Sequence, residues 1–182
     1  MRVLVACEFS GRVRDAFLAR GHDAYSCDLL PSNGPHYQGD VFDVAYEGWD
    51  LMIAHPPCTY LCNSGVRWLK NSNQRVENMW EASKFFQKLW CLPIPKICIE
   101  NPIPHRYGNL PKYTQIIQPW QFGHGETKAT CLWLKDLPAL EPTRVVKGRK
   151  GKIHLMSPGP DRGRLRSITY QGIANAFAAQ WG

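Results

Sequence analysis

The chain has 182 residues, 44% of them hydrophobic, with 22 Lys and Arg against 15 Asp and Glu and a formal net charge of +7. That length suits one domain with a sizeable core, and no apolar run approaches the roughly 20 residues needed to span a bilayer. The seven cysteines are odd in number and fall mostly inside predicted strands, which argues against a disulfide framework and for a reduced, cytoplasmic setting, while the positive charge favours a polyanionic partner, nucleic acid or nucleotide.

Arg2 to Cys7 is a valine-rich run that reads as a strand from the start of the chain, so no secretory leader is expected. Small and polar residues follow at Glu8, Ser10 and Gly11; then Val13, Ala16, Phe17 and Ala19 recur near helical spacing until Gly21. A second strand, His22 to Cys27, ends on Asp28. Strand, small-residue loop, helix, strand and acid is the opening of a nucleotide-type βαβ unit, in which the first loop approaches the ligand and the acid takes ribose hydroxyls, although E-F-S-G is not a full glycine fingerprint. Pro31 to Gly39 is a loop by composition, and Asp40 after it either borders a ligand or caps a turn.

Asp50 to Ala54 is the next strand, closed by His55-Pro56-Pro57 so that Cys58 is delivered just beyond its end, with Thr59, Tyr60, Asn63 and Ser64 behind it. Ligands bind at the carboxyl ends of strands in open α/β sheets, so this thiol is a candidate nucleophile; a small buried apolar residue is the competing reading. Cys58 and Cys62 lack the C-x-x-C spacing and have no second pair downstream, so no structural zinc is expected unless His55, His105 and His124 converge.

From Gln74 to Trp90 the residues Val76, Met79, Trp80, Phe86 and Trp90 predict one apolar face of a core helix. Lys96 to Ile99 is a strand that delivers Glu100 and Asn101 to another proline-fixed loop, so two strands present a thiol and an acid to one crevice. Tyr113 to Gln118 and Ala129 to Leu134 predict an antiparallel pair at the sheet edge. Residues 143–166 form a basic loop without apolar periodicity, suited to neutralising phosphates or simply to being solvated, with Lys147, Arg149 and Lys150 its candidate contacts. Ser167 is the predicted cap of a last helix from about Gly172 to Trp181.

Taken in order, these positions resemble the cytosine-5 DNA methyltransferase family over nearly the whole chain. Ser10 and Gly11 match its cofactor loop, where Glu8 and Phe9 replace small residues; Asp28 matches its ribose acid; Gly39 and Asp40 match its Gly-Asp pair near the adenine. Pro57 and Cys58, with Gly65 seven residues on, match the nucleophile motif; Glu100 and Asn101 the Glu-Asn motif; and Asn175 the closing helix.

The resemblance implies a class I S-adenosylmethionine-dependent methyltransferase fold in one domain, residues 1–182. Its mostly parallel seven-stranded sheet would carry an antiparallel edge pair and helices on both faces. It further implies S-adenosylmethionine held by Ser10, Gly11, Asp28, Asp40, Pro57 and Asn175, catalysis by Cys58, Glu100 and Asn101, and substrate contacts by Ser64 and Lys128. The implied reaction moves a methyl group to carbon 5 of a cytosine in DNA, single-stranded or flipped, or in a pyrimidine nucleotide, through a covalent cysteine adduct.

Two departures stand against this. The Gln-x-Arg-x-Arg signature falls on Glu126, Lys128 and Thr130, and the long target-recognition region is missing, so a separate specificity protein is conceivable. Amino-group methylation, for which H-P-P-C approaches a Pro-Pro-aromatic motif, and a silent nucleic-acid-binding module of the same fold are the competing readings.

Overall fold

Alternation along the first strand sets the architecture, because side chains two apart share a face of a sheet. In the computed structural model, which describes residues 1–182 apart from the side chains at positions 153 and 154, β1 (Arg2–Ala6) sends Val3 and Val5 to one face and Leu4 and Ala6 to the other. Both pairs are buried. A strand buried on both sides needs helices on both sides, and the chain supplies them. Helix α1 (Arg12–Leu18) and α5 (Gln171–Trp181) cover the Val3 face through Val13, Phe17, Ile173 and Phe177. Helix α2 (Asn73–Trp90) covers the other through Phe86 and Leu89. Each fully buried aromatic of this kind contributes about 1.5–3 kcal/mol of transfer free energy.

The remaining strands are β2 (Asp23–Asp28), β3 (His36–Gln38), β4 (Leu51–Ala54), β5 (Lys96–Pro102), β6 (Gln115–Ile117) and β7 (Thr130–Lys135), in spatial order β3-β2-β1-β4-β5-β7-β6. All neighbours run parallel except at β7, which lies between β5 and β6 and is antiparallel to both. The expected antiparallel pair is therefore present, with the three-residue β6 at the edge.

Several expectations change. Strand β3 lies inside the stretch read as loop, held by Ser26–His36 register pairing rather than by its own propensity. On α2 the buried face is Met79, Ser83, Phe86 and Leu89; Trp80 is 46% exposed, because it sits about 100° around the helix from Met79. The basic stretch 143–166 is not featureless: it carries α3 (Lys152–Leu155) and α4 (Arg162–Ser167) and makes single bridges from Arg144 to Phe122 and from Lys150 to Glu126. Ser167 closes α4, its hydroxyl donating to the Arg164 carbonyl at 2.8 Å, and Tyr170 is the cap position of α5. Gly172 permits the closest approach in the fold, since any Cβ there would overlap the Phe122 carbonyl oxygen.

Candidate active site

Register decides what meets at the end of the sheet. Ala54 of β4 is paired with Ile99 of β5, so the next residues, His55 and Glu100, emerge side by side. The His55 N–H extends the ladder to the Ala6 carbonyl at 2.9 Å, and its ring Nδ1 lies 2.8 Å from Glu100 Oε2. The two side chains are only 7% and 14% exposed. Burial by itself raises the Glu100 pKa, but the His55 bond, Lys128 and the Thr130 hydroxyl outweigh it and hold the carboxyl below its ordinary value. An ionised carboxylate only accepts, so Nδ1 carries the hydrogen and donates. His55 Nε2 is buried without a partner among the described residues, as is Asn101 Oδ1, whose amide nitrogen donates to the Pro102 carbonyl at 2.6 Å.

His55, Glu100, Lys128 and Thr130 face Tyr170, Ile173 and Phe177 across a space of about 10 Å³. That is room for about one water, not for a base. Glu126 helps to close it: the Tyr170 hydroxyl donates to Glu126 Oε2 at 2.6 Å and Lys152 Nζ to Oε1 at 2.8 Å. Lys128 Nζ donates to the Arg166 carbonyl at 2.9 Å, so two of the positions that depart from the Gln-x-Arg-x-Arg signature hold down the basic segment.

Beyond the proline pair, the Cys58 carbonyl accepts from the N–H groups of Leu61 and Cys62, folding the loop back so that the two thiols meet. Cys58 and Cys62 act on each other, and the Cys62 sulfur, followed by burial, pushes the Cys58 pKa far up. Cys62 is lowered to about 5: the Cys58 bond dominates, burial opposes it, and the Ser64 hydroxyl at 3.1 Å and the Ser64 and Gly65 N–H groups add to it. The pair shares one proton, and the Ser64 contact favours the charge on Cys62. Ser64, expected against substrate, has its hydroxyl 3.1 Å from the Cys62 sulfur. Spacing alone did not single out Cys62, because its ionisation depends on a turn that returns it to Cys58.

At the first loop, the Glu8 carboxylate accepts from the Val13 N–H at 2.8 Å and the Arg14 N–H at 3.3 Å, and the Ser10 hydroxyl donates to it at 3.1 Å. The start of α1 is therefore capped by the chain's own acid rather than left open for a ligand anion. Gly11 has φ +71°, and a Cβ there would collide with the Arg14 guanidinium. Asp28 accepts from the Leu30 N–H at 2.9 Å and Asp40 from the Phe42 N–H at 3.0 Å, so Asp40 does cap a turn.

Both acids nevertheless approach Cys7, whose pKa rises chiefly through burial and then through Asp28, Cys27 and Asp40. Cys7 itself has φ +58°, a left-handed conformation at the strand end. Pro57 borders a separate cleft of about 470 Å³ with Tyr60, Ala82, Phe85 and Lys88. As acceptors at the ends of the first strands, Asp28 and Asp40 fit the ribose hydroxyls of S-adenosylmethionine, whereas the Glu8 cap occupies the amides of α1 that its amino-acid half would use.

Asn175 lies on the exposed side of α5, bonded to Gln171 at 2.9 Å. Lys147 and Lys150 are exposed, whereas the Arg149 guanidinium stacks 3.9 Å from the Trp120 ring centroid. No group of three metal-ligating side chains comes together among the described residues, and no helix is long and apolar enough to cross a membrane.

This sheet order, with one reversed strand and helices on both faces, defines a class I S-adenosylmethionine-dependent methyltransferase fold. A solved structure described as a DNA modification methyltransferase, encoded within an E. coli prophage, is similar at 14% identity and a TM-score of 0.52, over 81% of this chain and 52% of that one. The chain thus spans about half the length of that relative. Two other likenesses are Dnmt2 methyltransferase of S. pombe (17% identity, TM-score 0.40, 74% of this chain and 48% of that one) and the Entamoeba histolytica methyltransferase EhMeth (12%, 0.47, 87% and 60%). No family model and no curated protein sequence matches the chain.

Proposed function

We propose that the chain transfers a methyl group from S-adenosylmethionine to carbon 5 of a cytosine in DNA, through a covalent adduct at Cys58. The observation that carries this reading is the delivery of Cys58 and Glu100 from the ends of the adjacent parallel strands β4 and β5, close enough for the Glu100 charge to act on the thiol. The fold, shared with a protein described as a DNA modification methyltransferase, supports methyl transfer to DNA.

Asp28 and Asp40 would take the ribose hydroxyls, and Pro57 would border the adenine. When bound, the cofactor supplies an electrophilic methyl group. Carbon 5 of cytosine is too poor a nucleophile to take it directly. The Cys58 sulfur therefore adds at carbon 6, its proton passing to the neighbouring Cys62 sulfur, with which it shares a titration. Glu100, oriented by His55, bonds the ring edge and supports protonation of the ring nitrogen. After carbon 5 is methylated, loss of its proton expels the thiolate and restores the ring. Lys128 stands beside Glu100 where the family would place an arginine, and the closed space at Tyr170 must open to admit a flipped or unpaired base.

The raised Cys58 pKa favours a second reading, amino-group methylation, in which the thiol stays protonated. A DNA oligonucleotide bearing 5-fluorocytosine separates the two. The wild type should form a trapped adduct visible by mass spectrometry, since fluorine cannot leave as a proton, and Cys58→Ser should not. Methylation without an adduct, with Cys58→Ser active, would establish the amino-group reading; cofactor binding without any methylation would leave a silent module of the same fold.

A further inference from the structure

The loops that follow β4 and β5 are one body. Asn63 N–H donates to the Ile103 carbonyl and His105 N–H to the Leu61 carbonyl, both at 2.9 Å, and the His105 ring nitrogen Nε2 meets the Tyr60 carbonyl at 2.8 Å. Ser83 of α2 anchors the far end through the Gly108 carbonyl at 2.7 Å, and Leu61 is fully buried beneath. Loops fixed in this way can present large side chains outward at little entropic cost. They present two aromatics: Trp68 is 46% exposed and Tyr107 49%.

Each aromatic carries a guanidinium. Arg67 lies 4.7 Å from the Trp68 ring centroid and Arg106 5.0 Å from that of Tyr107. Lys70 shares the 3-10 turn Asn63–Asn71 with Arg67 and Trp68. No Asp or Glu occurs between residues 51 and 76 or between residues 101 and 125, the stretches that contain both loops. Exposed aromatics on a rigid mount, in loops that carry cations and no acid, mark a binding surface for a partner that offers flat rings and anions together.

We propose that Trp68 and Tyr107, with Arg67, Lys70 and Arg106, form a platform for a single-stranded nucleic acid whose bases stack on the two rings while its phosphates meet the cations. A duplex hides its base faces in its own stack and would offer this surface only phosphates. The platform deepens the proposed function by naming the strand form of the substrate: the loop from Cys58 leads directly into the 3-10 turn Asn63–Asn71 that carries Trp68, so a strand lying on it passes the thiol.

Binding is read without methyl transfer, so the platform and the methyltransferase reading fail separately. Fluorescence anisotropy of the full chain with labelled oligothymidylate of about 20 nucleotides, a duplex of equal length and an abasic strand of equal length would test it. Oligothymidylate should bind at least about tenfold more tightly than the abasic strand and more tightly than the duplex. Trp68→Ala and Tyr107→Ala should each weaken it about fivefold to a hundredfold with unchanged melting temperatures, and Trp68→Phe should restore most of the loss. Equal binding of abasic and normal strands, duplex binding as tight as single-strand binding, or no effect of either alanine variant would overturn the platform, whatever the methylation assay shows.

Discussion

Replacing His55 with Ala removes the hydrogen-bond donor from a buried carboxylate while leaving the carboxylate in place. With side chains 7% and 14% exposed, the pair is little screened, and breaking a buried pair from one side costs about 3–5 kcal/mol. The pH dependence is more diagnostic than the size. In the wild type Glu100 lies below its ordinary value, so its ionised form stabilises the fold above that value, and the contribution is lost as pH falls through the folded pKa.

In His55→Ala the leading influence that lowers the carboxyl pKa is gone and only Lys128 and the Thr130 hydroxyl oppose burial, so the pKa rises from its wild-type position. The ionised carboxylate then stabilises the fold less than in the wild type. The stability gap between the two proteins should therefore be widest at about pH 7 and narrow as pH falls below about 4.5. Urea denaturation followed by tryptophan fluorescence under reducing conditions measures the gap, and the cycle with Glu100→Gln isolates the pairwise part. A loss below about 1 kcal/mol, constant over that range, would mean the pair behaves as a solvated surface contact and the reasoning fails.

The thiol pair predicts that iodoacetamide labels Cys62 with a midpoint of about 5, and that Cys62→Ser abolishes this low-pH labelling without transferring it to Cys58; labelling of Cys58 at that midpoint would reverse the assignment. Asp28→Ala should weaken S-adenosylmethionine in a calorimetric titration by about 1.5–3 kcal/mol, the range for hydrogen bonds to a charged group; unchanged affinity counts against the ribose site. Glu100→Gln should slow methyl transfer about 100-fold to 10,000-fold in a single-turnover assay, and a smaller loss would remove Glu100 from the proton-transfer role. Glu126→Gln should loosen the basic segment by weakening its bond to Lys152 Nζ, read as faster amide exchange across α3 and in the Lys150 to Thr127 bridge; unchanged exchange would show that the segment is held elsewhere.

The strands and helices that fill the core were legible because they rest on local periodicity. Val3 to Ala6, Leu51 to Ala54 and Ile97 to Ile99 are short apolar runs bounded by turn residues, and Val13 with Phe17 is one helical face. The proline pairs after Ala54 and Asn101 likewise announced where chemistry-bearing residues leave the sheet. That much is determined within windows of a few residues.

Three things depended on residues far apart in the chain meeting in space. His36 to Gln38 is a strand only because Ser26 to Asp28 offers it an open edge. His55 finds Glu100 across 45 positions because β4 and β5 pair in a register that no local pattern encodes. Glu126 looks like a lost catalytic glutamine until Tyr170 and Lys152 fold onto it. Ionisation of the thiol pair is different: the partners of Cys62, namely Cys58, Ser64 and Gly65, are near it in sequence, and only the turn that brings them to its sulfur, not their spacing, lowers its pKa.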